Sequence, residues 1–270
     1  MTNPREMILK LKSKLDKNPF VLALVLVGSQ ARNSAYPASK FSDMEVYIVV
    51  LDKSVLKVEE QLTEIVSDLG VVLFSYKNQW AGFSTVFDDL FRLELPIAKL
   101  SGLDSVFSRP IAQTVKVLID KTNGKLESAL ANRPKSLDFG KIFQDKIVDF
   151  WYMLIIAAQY YKKGESYNAR SALSVIQSSL IKLFELDENP DILLLKTNKR
   201  IEQFLPKEKL ELLREVTPAY EEKQIENSLK IMLEIFPEAA KKVAQKYGYS
   251  YPQDIEIKIK PKLQELFDTL

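Results

Sequence analysis

Three short segments in the first hundred residues carry side chains suited to phosphate chemistry. In the first, Ser42-Asp43-Met44-Glu45, the carboxylates of Asp43 and Glu45 are two residues apart, and such residues share one face of a β-strand. Two carboxylates held side by side repel each other unless a positive charge lies between them, and their hard oxygen atoms suit Mg²⁺. An isolated Asp-x-Glu pattern is also typical of solvated acids on an exposed strand edge. The pair therefore indicates a metal site only if other segments converge on it.

The second segment, Gly28-Ser29-Gln30-Ala31-Arg32, directly follows an apolar run and precedes a predicted short helix. The first turn of a helix presents backbone N–H groups and a partial positive charge, and Gly28 lets the backbone approach a ligand closely. Ser29 and Arg32 can donate hydrogen bonds to phosphate oxygens. The alternative is an ordinary turn between a strand and a helix, in which Gly-Ser is common.

The third segment, Phe91-Arg92-Leu93-Glu94-Leu95, alternates between apolar and charged residues. On a strand, this alternation directs the three apolar side chains towards the core and places Arg92 and Glu94 on the opposite face. There Glu94 can join Asp43 and Glu45. Three carboxylates from two strands, beside a turn that cradles phosphate, predict a metal-dependent site of phosphoryl or nucleotidyl transfer.

The composition of the 270 residues excludes several other chemistries. Because the chain has no Cys and no His, thiol catalysis, disulfides, histidine-based triads and the usual zinc sites are excluded. The 38 basic and 36 acidic residues give a net charge of +2, which is too small to indicate a nucleic-acid partner. The first twenty residues lack the apolar stretch of a signal peptide, and the longest apolar run, Phe150 to Ala158, is too short to span a membrane. The sequence therefore predicts a cytoplasmic protein without a nucleic-acid or membrane partner.

The hydrophobic periodicity of the first 131 residues changes repeatedly between two and 3.6, which is typical of a mixed α/β domain. A helix with one apolar face is predicted near the N-terminus, and another from Val55 to Leu69 with Gly70 as its C-terminal cap. Thr114 to Ile119 is a candidate for an edge strand. Five further strands are predicted at Val21 to Val27, Asp43 to Leu51, Val71 to Tyr76, Gly82 to Phe87 and Phe91 to Ile97.

From about Leu137 onward the pattern becomes almost entirely helical. The predicted helices run over Ile142 to Lys162, Ser166 to Phe184, Lys207 to Glu215 and Pro218 to Phe236, and one more follows a turn at Tyr247 to Tyr251. We therefore predict an α+β fold with two domains. Residues 1–136 form a mixed five-stranded sheet with flanking helices, and residues 137–270 form an all-helical bundle.

In combination, Gly28-Ser29, Asp43-x-Glu45 and Glu94 resemble the motif set of the nucleotidyltransferases related to DNA polymerase β. The chain is most similar to antibiotic nucleotidyltransferases, above all the lincosamide nucleotidyltransferases, with the streptomycin 6-adenylyltransferases more distant. The resemblance spans residues 5–186 and is carried further by the segments FSDMEVYIVV, VFDDLFRLELPI, VLIDKTNGKLESAL and IVDFWYMLIIAAQYYKKGESYNARSAL.

The resemblance implies a nucleotidyltransferase catalytic domain followed by a helical substrate-binding domain. Gly28 and Ser29, assisted by Arg32, would hold the triphosphate of ATP, the co-substrate. Asp43-x-Glu45 would bind Mg²⁺, with two ions expected, and Glu94 would be a further metal ligand, the general base on the acceptor hydroxyl, or both. Pyrophosphate would leave as the AMP adduct forms. Enzymes of this kind often pair, so a homodimer is among the expected assemblies.

Five residues outside these motifs are candidates for ligand contact. Asp149, near the start of a long aromatic-rich helix, either faces the cleft or lies on the exposed side of its helix. Lys163 and Arg170, at the turn between two helices, either contact phosphate or belong to a solvated corner. Tyr76 and Trp80 border the sheet and either stack on a base or sugar or pack at the rim.

The preferred functional hypothesis is adenylyl transfer to a hydroxyl of a small-molecule antibiotic, with a lincosamide as first acceptor. Aminoglycosides are polycations that favour strongly acidic clefts, so the balanced charge of this chain ranks them second. A nucleotide-binding module without catalytic activity is a further alternative, although the chain retains all three carboxylates. Polynucleotide tailing is the least consistent with the near-zero net charge.

Overall fold

The structure, a computed structural model, describes residues 3–31, 38–39, 41–78, 82–107, 114–133, 137–194, 201–217 and 220–268. The chain divides into two compact units, Met1–Ser136 and Leu137–Leu270. The first unit contains a sheet with flanking helices, and the second is helical in the part that the structure describes. The α+β fold class predicted from the periodicity is thereby confirmed.

A mixed sheet forms the centre of the first unit. Its strands are β1 (Val21–Val27), β2 (Met44–Val50), β3 (Val72–Asn78), β4 (Gly82–Phe87), β5 (Arg92–Leu95), β6 (Ile97–Lys99) and β7 (Val115–Asp120). They follow the order β3-β4-β5-β2-β1-β7, and β6 also pairs with β2. The pairings of β2 with β5 and with β6 are parallel, whereas the other pairings are antiparallel.

In the described part of the chain the sheet has seven strands, so the predicted count of five is wrong. One additional strand is β7, which pairs with β1 where the sequence offered a candidate edge strand. The other arises because Pro96 divides the predicted strand from Phe91 to Ile97 into β5 and β6. Proline has no N–H to donate to the ladder, although the Pro96 carbonyl still accepts a 2.9 Å hydrogen bond from the Ile48 N–H.

Helices cover both faces of the sheet in the first unit. On one face, α1 (Pro4–Asp16) and α2 (Val55–Ser67) contribute to a core with alternate residues of β1, β2, β4 and β5. On the other face, α3 (Leu103–Phe107) and α4 (Lys125–Ala131) pack with Ala23, Val25, Val27 and Val49. We call these the α1/α2 face and the α3/α4 face. The odd-numbered residues of β2, and those of β1 from Ala23 onward, belong to the α3/α4 face. Val21 precedes a register irregularity in β1 and packs on the α1/α2 face.

Gly70 does not cap α2 in the way that the sequence predicts. The helix ends at Ser67, and Asp68 occupies the C-cap position in a right-handed conformation. A Cβ atom on Gly70 would lie 3.0 Å from the Cδ1 atom of Phe87, a fully buried residue. Glycine is therefore needed here for close packing against a ring rather than for a left-handed backbone.

The second unit consists of helices around one apolar core. They are α5 (Phe139–Lys162), α6 (Ser166–Glu188), α7 (Ile201–Phe204), α8 (Lys207–Glu215), α9 (Glu222–Tyr247) and α10 (Gln253–Asp268). The rings of Phe150 on α5 and Phe236 on α9 stack with their centroids 3.6 Å apart. In the residues that the structure describes, no helix is long and apolar enough to cross a membrane.

Helix α9 begins and ends later than the sequence predicts. The prediction ends it at Phe236, before a proline, whereas the helix continues through Pro237 to Tyr247. A proline inside a helix removes one backbone hydrogen bond and costs about 3 kcal/mol. The turns beyond it bury Ala240 and Val243 in the core, and this burial offsets the cost. The predicted start at Pro218 lies outside the described residues.

A cluster of charges fixes the C-terminal end of α6. The Asp187 carboxylate, whose side chain is 8% exposed, accepts hydrogen bonds from Lys209 Nζ at 2.5 Å and from Lys242 Nζ at 2.8 Å. Lys246 donates to the Asp187 carbonyl, one of the carbonyls left without a partner inside the helix. Burial alone would raise the Asp187 pKa, but the two lysines outweigh it and hold this pKa below its ordinary value.

Candidate functional site

Strands β2 and β5 bring the predicted carboxylates to one place on the α3/α4 face. In their parallel pairing, Glu45 lies directly opposite Glu94, and Met44 lies opposite Leu93. Met44 and Leu93 are buried on the α1/α2 face, which fixes the alternation and keeps both glutamates on the other side. Asp43 immediately precedes β2 on the same side as Glu45.

Arg92 lies between the acidic residues. Its Nη2 atom is 3.0 Å from Asp43 Oδ2, and its Nη1 atom is 4.0 Å from Glu94 Oε1. The side chains of Asp43 and Glu94 are 33% and 24% exposed, so the group is partly shielded from water. The guanidinium thus supplies the positive charge that neighbouring carboxylates require. The sequence placed Arg92 on this face without giving it a role, although the Arg-x-Glu alternation already carried the signal.

The donor set fits a hard cation in its chemistry, because carboxylate oxygens are the ligands that Mg²⁺ prefers. The described residues, however, contain no group of three or more acidic side chains arranged to hold a metal ion. Glu45 and Glu94 are neighbours across the strand pair, whereas Asp43 is bonded to Arg92. Binding of Mg²⁺ by all three acids would require Asp43 to exchange its guanidinium partner for the ion.

The glycine-serine turn begins beside the carboxylates. Val27, the last residue of β1, pairs with Glu45, and Gly28 follows with a left-handed φ of 74°. That φ explains the glycine, because other residues rarely adopt it. The Gly28 N–H donates to the Thr114 carbonyl at 3.2 Å, so this amide is engaged within the sheet. Arg32 lies outside the described residues.

The helix expected after this turn is a single turn of 3₁₀ helix, Gly28–Gln30, and Ala31 returns to an extended conformation. Three residues do not build the aligned dipole of a long helix, so the electrostatic support expected for a phosphate is smaller than predicted. A cradle at this turn would depend on individual N–H groups and on the half-buried Ser29 hydroxyl.

A row of paired residues crosses the sheet on the α3/α4 face. Tyr76 on β3 pairs with Ser84 on β4, Ser84 with Glu94, Glu94 with Glu45, and Glu45 with Val27. We call these five residues the transverse row. Tyr76 was a candidate from the sequence and the row connects it to the carboxylates, whereas Trp80 lies outside the described residues.

The remaining candidates belong to the helical unit. Asp149 is half exposed and accepts a 2.6 Å bond from Lys146 Nζ one turn earlier on α5. Lys163 is exposed at the C-cap of α5, about 21 Å along the helix axis from Asp149, so these two side chains do not converge. Arg170 stacks on the Tyr220 ring, with its Cζ atom 4.5 Å from the ring centroid. Their contact with a ligand stays a prediction.

Comparison with known proteins identifies the family of this chain. A family model described as streptomycin adenylyltransferase matches residues 1–266, which is nearly the whole chain. The chain belongs to this family. It is accordingly a nucleotidyltransferase, related to enzymes that adenylylate antibiotics. No curated protein sequence is significantly similar to it.

Several solved structures are similar to this chain over at least nine-tenths of its length. An aminoglycoside 6-adenyltransferase from Bacillus subtilis is 16% identical, covers 99% of both chains and has a TM-score of 0.46. A nucleotidyltransferase-like protein from Exiguobacterium sibiricum is 14% identical over 90% of this chain and 78% of its own, with a TM-score of 0.40. A spectinomycin adenyltransferase from Enterococcus faecialis, solved with ATP and spectinomycin, is 13% identical over 99% and 100%, with a TM-score of 0.36. At this level of similarity they support no statement on the acceptor of this chain.

Proposed function

We propose that this chain transfers AMP from ATP to a hydroxyl group of a small-molecule antibiotic in a Mg²⁺-dependent reaction, with release of pyrophosphate. The observation that carries the proposal is the pairing of Glu45 with Glu94, directly beside the turn that begins at Gly28. Family membership supports the same reaction class. A co-substrate such as ATP also agrees with the cytoplasmic location expected from the sequence.

In this proposal, each residue of the site has a defined task. Ser29, with Arg32, binds the triphosphate, and Glu94 accepts the proton of the acceptor hydroxyl. The acceptor oxygen then forms a bond to the α-phosphorus, while the bond between that phosphorus and the bridging oxygen of pyrophosphate breaks. Asp43, Glu45 and Glu94 would hold Mg²⁺, which when bound neutralises charge on the phosphates. In the absence of substrate, Arg92 balances the negative charges of Asp43 and Glu94.

We propose a lincosamide as the first acceptor. Strands β3 and β4, which continue the site face beyond Glu94, contain no Asp or Glu in their sequences, VLFSYKN and GFSTVF. A polycation is held best by a surface rich in carboxylates, and this part of the face does not supply one. An aminoglycoside is the second candidate, and the description of the matching family, which names streptomycin, favours it.

The test is an acceptor panel with the purified full-length chain. MgATP is mixed with clindamycin, lincomycin, streptomycin or spectinomycin, and both pyrophosphate release and the mass of an AMP adduct are measured. The expected result is a clindamycin–AMP adduct whose formation is stopped by EDTA. An adduct of streptomycin alone would move the acceptor to the second candidate. Nucleotide binding in calorimetry without any adduct across the panel would identify a non-catalytic binding module and overturn the proposed function.

A further inference from the structure

The β3 edge of the sheet exposes two aromatic side chains on the site face. Phe74 and Tyr76 are 53% and 50% exposed, and their ring centroids are 6.1 Å apart. Phe74 pairs with Val86 and Tyr76 with Ser84 across β4. Because directly paired residues share a face, both rings lie on the side of the sheet that carries Glu94.

The other side of β3 is occupied by contacts that hold the fold together. Ser75 and Thr85 are joined by a 2.9 Å hydrogen bond between their hydroxyls. Lys77 forms an ion pair with Glu59 of α2, with Nζ 2.7 Å from Oε2. Ser75 and Lys77 thus make contacts within the fold, whereas the two large rings on the other face are half exposed. Exposed apolar groups clustered beside a polar site are typical of ligand-binding surfaces.

The in-line geometry of the proposed reaction indicates which substrate lies at each end of the transverse row. Nucleotidyl transfer is in line, so the attacking oxygen and the leaving pyrophosphate lie on opposite sides of the α-phosphorus. If the triphosphate binds at Gly28 and Ser29, beside Val27, the pyrophosphate leaves on the β1 side. The acceptor then approaches from the β4 and β3 side of Glu94. This step rests on the proposed function.

From this order we infer that Phe74 and Tyr76 form the wall that binds the acceptor, and that they select a ring-bearing molecule with an apolar face. Tyr76 lies two strands from Glu94, which corresponds to about 10 Å. An acceptor of that length can place a hydroxyl at Glu94 and a sugar or hydrocarbon ring against Tyr76. The side chains that surround this path on β3 and β4 are rings, the Ser84 hydroxyl and the half-buried Val86. Contacts of this kind favour an acceptor that can bury apolar area against the rings.

The inference is tested with the double variant Phe74→Ala and Tyr76→Ala in the full-length chain, with clindamycin as the probe. We expect the KM for clindamycin to rise about tenfold, because the variant removes both rings against which the acceptor packs. The KM for ATP should change less than about twofold, since the nucleotide binds at the other end of the row. Tyr76→Phe, which keeps the ring, should raise the KM for clindamycin less than the double variant does. Leu56→Ala is the matched control, since Leu56 is 68% exposed but belongs to α2 on the opposite face.

A second measurement separates this inference from the proposed function. Calorimetric titration of clindamycin into the protein, saturated with a non-hydrolysable ATP analogue, reports acceptor binding without turnover. Loss of clindamycin binding in the double variant, with analogue binding retained, supports the wall even if the wild type forms no adduct. The inference is overturned if clindamycin binding is unchanged in the double variant or absent in the wild type. It is also overturned if the ATP affinity falls instead, or if the variant only changes the oligomeric state in size-exclusion chromatography.

Discussion

Arg92 donates a hydrogen bond from Nη2 to Oδ2 of Asp43 at 3.0 Å, across the junction of β5 with the residue that precedes β2. Asp43 is also one of the residues proposed to hold Mg²⁺. A guanidinium and a metal ion compete for the same carboxylate, because both interact with its lone pairs and its charge. In the proposed mechanism, we therefore expect Arg92 to lower the affinity of the site for Mg²⁺.

Replacing Arg92 by Ala should tighten metal binding. Removal of one positive charge beside the acids increases their attraction for a divalent cation, and we expect the dissociation constant for Mg²⁺ to fall about fivefold to tenfold, or ~1 kcal/mol. Calorimetry of the protein without nucleotide measures this directly. Lys77→Ala removes an exposed cation from the opposite face and should leave the constant unchanged. Weaker or unaltered binding by the Arg92 variant would contradict the competition.

Replacing Glu94 by Gln should abolish most of the turnover. The amide keeps the shape of the side chain but neither accepts a proton nor carries the negative charge, and we expect kcat to fall by about 100-fold or more. Circular dichroism and the thermal midpoint should remain those of the wild type, because Leu93 and Leu95 hold the strand in the core. Glu59→Gln on α2 serves as the control. A Glu94 variant with full activity would remove the residue from the proposed mechanism.

Replacing Asp187 by Asn should destabilise the helical unit by about 2 kcal/mol at pH 7, because the buried carboxylate would lose its charge-assisted bonds to Lys209 and Lys242. The matched control is Asp145→Asn, which removes an exposed pair with Lys141 and should cost less than about 0.5 kcal/mol.

The pH dependence of this effect follows from the lowered Asp187 pKa. A carboxylate of this kind stabilises the folded state at pH values above its pKa in the unfolded chain, near 3.8. This stabilisation is lost as the pH falls through its lower pKa in the folded state. Urea unfolding of the wild type and the variant should therefore differ at pH 7 and converge below about pH 4. A constant difference between the two proteins down to pH 2 would show that packing, rather than charge, is responsible.

Replacing Leu90 by Gly should stabilise the first unit. Leu90 lies in the turn between β4 and β5 with a φ of 64°, and its side chain is 74% exposed. The left-handed conformation costs a non-glycine residue roughly 1–2 kcal/mol. Glycine removes this cost, but it loses more chain entropy on folding, which offsets part of the gain. The net gain in the free energy of unfolding should be about 0.5–1 kcal/mol in a urea titration. Leu90→Ala keeps the strained φ and should show no gain.

The sequence predicted those parts of the site that depend on alternation. Because side chains alternate along a strand, the pattern around Asp43-x-Glu45 and Glu94 fixed which residues share a face, and the observed register agrees. It could not predict that Asp43 would bond Arg92, since that contact depends on side-chain conformation and on the pairing of distant strands. It also treated Pro237 as the end of a helix, whereas core packing on both sides of the proline carries α9 onward. Local sequence propensity predicts which helices and strands form, whereas tertiary contacts determine the residues at which they end.

The strand order has a consequence for how such an enzyme can acquire new substrates. Glu45 and Glu94 lie on interior strands, where a substitution disturbs neighbours on both sides, whereas Phe74 and Tyr76 lie on an edge strand and are half exposed. Changes at the edge cost little stability, because few contacts are lost there. In the proposed site, acceptor binding and catalysis would thus depend on separate strands of one sheet. A library randomised at positions 74 and 76 would vary the proposed acceptor wall while every member keeps Glu45 and Glu94.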